Sequence, residues 1–154
     1  MQFASKMGFR AVAIGHGHDK EALALKLGAT RYLDTETTNA PSELAKMGAA
    51  SVILATAPNS KAMSDLIDGL GIGGKLVAVG ASADPIHVTP IQLIGVRRSI
   101  EGWPSGTARD SDDTLNFCAL RGSVPWSNHF HSNRPLPRTI VCWAGRHDFA
   151  SCSL

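Results

Sequence analysis

The sequence predicts an α/β fold in which a parallel β-sheet is covered by helices on both faces. Short apolar runs that end at glycine, such as Phe9–Gly15 and Lys75–Gly80, have the length and composition of strands buried on both faces. Stretches with apolar residues at helical spacing lie between these runs. Strands that alternate with helices form right-handed crossovers, and these produce a parallel sheet.

The elements follow one another along most of the chain. Strand Phe9–Gly15 leads into helix His18–Ala29, in which Leu23 and Leu27 supply an apolar face and Gly28 is a favourable stop. Polar caps and prolines near the first turn mark the later helices. The remaining predicted elements are strand Thr30–Asp34, helix Ala40–Gly48, strand Ser51–Thr56, helix Asn59–Gly71, strand Lys75–Gly80, the helical turn Thr89–Gly95, strand Arg98–Trp103 and helix Gly106–Leu120.

Composition excludes several classes of partner. The chain has 154 residues, of which 44% are hydrophobic and 18% charged, with a net charge of +2. It is long enough for one domain with a core, and it has no basic cluster dense enough for nucleic acid or an anionic membrane. The longest apolar runs are too short to span a bilayer. The odd count of three cysteines, in no metal spacing, predicts a reduced, cytoplasmic setting.

Three segments of the chain resemble a known family. Met1–Thr35, Val52–Gly80 and Ser99–Phe117, in this order and spacing, resemble the cofactor-binding domain of zinc-type, medium-chain alcohol dehydrogenases. The resemblance extends from residue 1 to about residue 120. It implies a Rossmann sheet that binds NAD or NADP, a separate catalytic domain that holds zinc, and oligomers. In such oligomers Arg98–Trp103 would be the edge strand that pairs in a homodimer.

The resemblance also implies that the start of the cofactor domain is missing. Met1–Met7 resembles the end of the helix that follows the family's Gly-rich pyrophosphate loop. The glycines of Gly69–Gly74 do not replace that loop, because they follow a helix and precede a strand, and a phosphate cradle needs the reverse order. We interpret them as a helix stop and a tight turn. The prediction is a partial Rossmann-like, doubly wound parallel sheet over residues 1–120, without its first strand and Gly-rich loop.

Catalytic groups are not predicted in this chain. A catalytic zinc needs three protein ligands and an open position, and no such Cys, His and Glu arrangement is present before residue 120. Without that Lewis acid nothing polarises an alcohol oxygen. The dehydrogenase class with Tyr-x-x-x-Lys is excluded, since Tyr32 is followed four residues later by Glu36. The candidate ligands that fail to form a zinc site are Cys118, His16, His18 and His87.

The adenosine end of a dinucleotide site is still readable. Folds that prefer NAD place a carboxylate at the end of the second strand. By resemblance that place falls at Gly15 and His16, where no acid stands, and Asp19 comes later. His16, His18 and Lys20 are therefore candidates to pair with the 2′-phosphate of NADP. The alternative is a solvated polar turn that distinguishes NADP from NAD only weakly.

By resemblance, two further turns lie near the nicotinamide ribose. These follow the fourth and fifth strands of the family, and their small residues suit a close approach of the backbone. The alternative is that they are small for turn packing alone. The residues concerned are Thr56, Ala57, Val79, Gly80 and Ala81.

The C-terminal stretch Ser123–Phe149 differs in composition from everything before it. It contains Trp126 and Trp143, three histidines, three prolines and no lysine. One interpretation is a metal site made of His129 and His131 with Cys142 or His147, but Pro135 and Pro137 interrupt any regular frame for it.

We favour a different origin for this tail. Read in a shifted frame, the possible codons of residues 122–153 permit a text that resembles the family's C-terminal helix and the basic strand after it. We therefore predict a frameshift near Arg121–Ser123, so that residues 121–154 form an irregular, out-of-frame tail and no domain. The whole chain is then predicted to be a fragment, mis-started or truncated, that binds cofactor weakly and is inactive alone. A non-catalytic nucleotide-binding module and a pseudogene-like product without function remain as alternatives.

Overall fold

The computed structural model describes residues 1–123, 139–141 and 151–153. The chain divides into two compact units, Met1–Pro104 and Ser105–Leu154. The parallel strands of the described residues lie in the first unit. They form two sheets, one with the order β1–β2 and one with the order β3–β4–β5. The five strands are β1 Val12–Gly15, β2 Arg31–Asp34, β3 Ala50–Ala55, β4 Leu70–Ala78 and β5 Ser99–Gly102.

Helices alternate with these strands, which confirms the predicted α/β class. Capping explains where two of them begin: the Asn39 side chain accepts the Ser42 N–H at 3.0 Å, and the Asn59 side chain accepts the Ala62 N–H at 2.9 Å. The helices of this unit are α1 Gln2–Lys6, α2 Glu21–Lys26, α3 Ala40–Lys46, α4 Ser60–Leu66, which continues into a 3-10 turn at Ile67–Gly69, and α5 Pro90–Ile94.

One apolar core underlies both sheets. Leu33 of β2 and Leu76 of β4 belong to the same buried cluster, together with Leu44 of α3 and Ile67 after α4. The two sheets therefore share one helical layer, although no hydrogen-bonded ladder joins β1 to β3 in the part of the chain that is described. On the opposite face of β3, Val52 and Leu54 are 61% and 60% exposed.

The glycine-rich run before Lys75 differs in part from the prediction. Helix α4 does stop before it, but β4 already begins at Leu70. Ala50 pairs with Leu70 while Val52 pairs with Lys75, so β4 advances by five residues where β3 advances by two and contains three extra residues there. Gly73 adopts a positive φ of 67° there. The run is thus an irregularity within a strand, which hydrophobic periodicity does not reveal.

The second unit begins with α6, Ala108–Arg121, whose N-terminus is capped by the Thr107 side chain. Gly122 closes the helix in the left-handed conformation, with a φ of 59°. Farther along, β6 Thr139–Val141 and β7 Ser151–Ser153 pair antiparallel. The proposed tail ligands His129, His131, Cys142 and His147 lie outside the described residues. None of the described helices has the length and apolarity needed to cross a membrane.

Candidate cofactor-binding site

The turn after β1 comprises residues Gly15–Lys20, and we call it the β1 turn. Gly15 is buried and pairs with Asp34 of β2 in the parallel ladder. Gly17 has a positive φ of 75°, and no atom lies within 4 Å of the position that a Cβ would take. The positive φ is what favours glycine here. Lack of space is not the reason, since the surroundings of this position are open.

Asp34 ties the β1 turn to β2. Its side chain is buried, and its Oδ1 accepts the Gly17 N–H at 2.8 Å and the Glu36 N–H at 2.9 Å. Tyr32, also buried, donates its hydroxyl to the Gly17 carbonyl at 2.7 Å. Both backbone polar groups of Gly17 are therefore held by side chains from the neighbouring strand.

Carboxylates flank both histidines of the β1 turn. His16 Nε2 lies 2.6 Å from Glu36 Oε1. The His18 ring lies between two acids, with Nδ1 at 3.2 Å from Glu21 and Nε2 at 3.2 Å from Asp34. Any anion that approaches these histidines therefore meets acidic side chains as well as imidazoles.

Hydrogen bonding and burial shift two ionisation equilibria beside this turn. The Glu36 N–H is the main cause that holds the pKa of the Asp34 carboxyl below its ordinary value. Burial opposes this shift, while the Gly17 N–H, the Thr37 hydroxyl and the nearby His18 add to it. Burial, followed by the negative charge of Asp34, raises the pKa of Tyr32. Asp34 is thus ionised and Tyr32 is a neutral hydroxyl donor at neutral pH.

The turns after β3 and β4 pack directly against each other. The N–H groups of Val79 and Gly80 both donate to the Ala55 carbonyl at 2.9 Å. A Cβ at Gly80 would lie 2.5 Å from the Ala57 carbonyl oxygen and 2.7 Å from that of Thr56. Gly80 is therefore required by contact with the chain's own backbone. The structure thus brings together the five residues predicted for this region and explains the smallest of them by turn packing.

An open cleft of about 520 Å³ lies next to these turns. The buried Ser60 hydroxyl donates to the Asp84 carbonyl at 2.6 Å on its wall. None of the nine residues predicted to contact cofactor lines this cleft. Its lining residues are Pro58, Asn59, Ser60, Lys61, Ser64, Asp65, Ser82, Asp84, Pro85 and His87.

The residues that the structure describes do not fit a zinc centre. No group of three or more His, Cys, Asp or Glu side chains among them is arranged to hold a metal ion. Cys118, the only cysteine whose side chain is described, is a free thiol on α6. We therefore derive no chemical step through a metal in this chain.

Comparison with known proteins identifies the family to which this fold belongs. The family model described as zinc-binding dehydrogenase matches residues 1–119. The chain belongs to this family, which confirms the resemblance noted from the sequence.

Curated relatives include fungal, bacterial and plant dehydrogenases. The chain is 42% identical to the alcohol dehydrogenase patD of Penicillium expansum over 122 residues, which cover 79% of this chain and 36% of that protein. It is 37% identical to the alcohol dehydrogenase notN of Aspergillus sp. strain MF297-2, covering 76% of this chain and 34% of that one. The chain therefore spans about a third of the length of these relatives.

Solved structures share the fold. The D-arabinose dehydrogenase of Sulfolobus solfataricus matches 81% of this chain and 40% of its own, with a TM-score of 0.72 and 18% identity. The quinone oxidoreductase of Thermus thermophilus, described with its NADPH complex, matches 77% of this chain and 38% of its own. Its TM-score is 0.60 and its identity is 25%.

Sequence reasoning missed three residues beside the β1 turn: Tyr32, Asp34 and Glu36. The sequence offers Tyr32 and Glu36 only as parts of a catalytic motif that is absent, and Asp34 only as a strand end. No local signal in the sequence identifies them, because only the parallel register, which pairs Gly15 with Asp34, brings the end of β2 against the turn.

Proposed function

We propose that this chain is the cofactor-binding part of an NAD(P)-dependent alcohol dehydrogenase and binds the dinucleotide weakly. The β1 turn would receive the adenosine ribose through Gly15, His16, His18 and Lys20. The turns Thr56–Ala57 and Val79–Ala81 would face the nicotinamide ribose. The main support is the family match over residues 1–119, together with the NADPH complex of the quinone oxidoreductase.

The strand order supports a proposal about which part of a dinucleotide-binding sheet the described residues supply. Dinucleotide-binding sheets have the order 3-2-1-4-5-6. The two-stranded sheet β2–β1 corresponds to positions 3-2 of this order, and the three-stranded sheet β3–β4–β5 corresponds to positions 4-5-6. No strand of the described residues occupies position 1 between them. The described residues do not include a Gly-rich loop whose oriented N–H groups would hold a pyrophosphate. Weak binding follows.

Calorimetric titration of the 154-residue chain with NADP⁺ and NAD⁺ tests this proposal. We expect these 154 residues to bind saturably in the range of roughly 0.1–1 mM, weaker than a site that includes a pyrophosphate cradle. A thermal melt adds an independent reading, since ligand at 100 times its Kd stabilises by about 2.7 kcal/mol. A chain that melts at the same temperature with and without either dinucleotide would instead be a product without function.

We further propose that the chain alone does not oxidise alcohols. The full-length relatives are named for that activity, but this chain spans a third of them and its described residues supply no zinc ligands. Turnover of a primary alcohol by the purified chain, dependent on added zinc, would refute the proposal. We also propose a cytoplasmic location, because three cysteines in no metal spacing are typical of a reduced compartment.

The edge strand β5 is the proposed dimer contact. It pairs with β4 on one side only among the described residues, and apolar edges left unpaired tend to associate. Sedimentation of the purified chain tests this: a monomer across the micromolar range would refute the homodimer.

A further inference from the structure

The buried carboxylate of Asp34 uses its hydrogen-bonding capacity within the protein. Oδ1 accepts two backbone N–H groups, those of Gly17 and Glu36. Oδ2 lies 3.3 Å from the Thr37 hydroxyl and 3.2 Å from His18 Nε2. Three hydrogen bonds and the nearby His18 imidazole therefore surround this carboxylate. Because only 3% of Asp34 is exposed, its carboxylate offers little access to a ribose hydroxyl.

The same geometry fixes the β1 turn through both polar groups of one residue. The Gly17 N–H is held by Asp34 and the Gly17 carbonyl by Tyr32, at 2.8 Å and 2.7 Å. Both side chains come from β2, and both are less than 10% exposed. Buried and well-packed anchors of this kind hold a loop in one conformation at little entropic cost on binding.

We propose that Asp34, assisted by Tyr32, is a positioning residue that holds the β1 turn in shape for the adenosine half of a bound dinucleotide. It acts through Gly17 and His18 and does not contact the ligand. The inference rests on the proposed function. In the usual arrangement a carboxylate at the end of the family's second strand, which corresponds to β1 here, binds the ribose directly. Asp34 instead ends β2, which corresponds to the family's third strand, and its side chain is buried.

Binding of two half-ligands tests this role. Adenosine 2′,5′-bisphosphate reports on the β1 turn, and nicotinamide mononucleotide reports on the turns after β3 and β4. We expect Asp34→Ala to weaken binding of the bisphosphate roughly 10- to 100-fold, the effect of a lost charge-assisted hydrogen bond. Tyr32→Phe, which keeps the ring and removes one neutral hydrogen bond, should weaken it roughly 2- to 10-fold. Mononucleotide binding should stay within about twofold.

A matched control and a ligand-free reading complete the experiment. Asp112→Ala removes an exposed carboxylate on α6 and should leave both ligands unaffected. In Asp34→Ala the Gly17 amide should exchange with solvent at least roughly tenfold faster, while the Ala13 amide within β1 keeps its rate. If Asp34→Ala does not fold, Tyr32→Phe carries both measurements, since its core packing is unchanged.

The outcomes separate this inference from the function beneath it. A wild-type chain that binds neither half-ligand overturns the inference, and one that also binds neither NADP⁺ nor NAD⁺ overturns the proposed function. If the wild type binds the bisphosphate and both variants bind it as tightly as the wild type does, only the positioning role is overturned. Equal losses for both half-ligands would also overturn it, because they would show a general weakening of the fold.

Discussion

Replacing Gly80 by alanine should destabilise the first unit strongly, because the space for a methyl group is already filled by backbone. The new Cβ would meet the Ala57 carbonyl oxygen at 2.5 Å, the Ala57 carbonyl carbon at 2.6 Å and the Thr56 carbonyl oxygen at 2.7 Å. Ordinary contacts begin near 3.4 Å, so one of the two turns must move by roughly 0.9 Å. Neither turn can yield by a side-chain rotation.

The expected magnitude combines two effects. Overpacking of this kind costs about 1–3 kcal/mol. Movement of the turn also weakens the bonds from Val79 and Gly80 to the Ala55 carbonyl, each worth about 0.5–1.5 kcal/mol. The sum is about 2–6 kcal/mol if both bonds are lost, a large share of the stability of a domain of this size. The melting temperature should fall by more than about 10 °C.

Gly102→Ala is the matched control for this variant. Gly102 ends the neighbouring strand β5, it does not have a positive φ, and nothing lies within 4 Å of its Cβ position. Alanine there should change the free energy of unfolding by less than about 1 kcal/mol. Urea titration followed by circular dichroism measures both variants. If Gly80→Ala and Gly102→Ala unfold within about 0.5 kcal/mol of each other, the close approach of the two turns is wrong.

Three further predictions concern the core, a helix cap and pH. Leu76 is fully buried in β4, and Leu76→Ala should lower the free energy of unfolding by about 2–5 kcal/mol in the same urea titration. Ile72 in the glycine-rich run is 84% exposed, and Ile72→Ala should lower it by less than about 0.5 kcal/mol. Asn59→Ala removes the bond to the Ala62 N–H and should cost about 1 kcal/mol by thermal melt, and no loss would show that α4 needs no cap. The pKa values of Asp34 and Glu43 are lowered on folding, the first chiefly by the Glu36 N–H and the second by its bond to Lys46. Their contribution is present above the unfolded pKa of about 4 and is lost as the pH falls through the lower folded values, so unfolding free energies that stay constant from about pH 6 to about pH 2 would contradict these contacts.

The order and type of the elements could be predicted from the sequence because local signals specify them. Asn59 as a cap and Gly28 after a helix are readable from a few neighbouring residues, and the structure places both as expected. Boundaries were less accurate. The strand predicted from Phe9 begins only at Val12, because the residues from Val12 onward are the ones that have partners in β2. Phe9 lies outside the strand and is 67% exposed.

Contacts between distant segments could not be read in this way. Asp34 and Gly17 are 17 residues apart, and their meeting depends on which strands pair and in which register. The register jump in β4 has the same origin, since it depends on how Ala50 and Val52 pair. The candidate site was therefore predicted as a set of turns, while the residues that hold the β1 turn emerged only from the assembled sheet.

The most direct test of the central claim is an NMR titration of the ¹⁵N-labelled chain with NADP⁺. We expect amide shifts that saturate at the β1 turn, at Thr56–Ala57 and at Val79–Ala81, while amides of α6 stay in place. Shifts confined to other parts of the chain, or no shift at millimolar dinucleotide, would contradict the claim that this chain retains the cofactor-facing turns of its family.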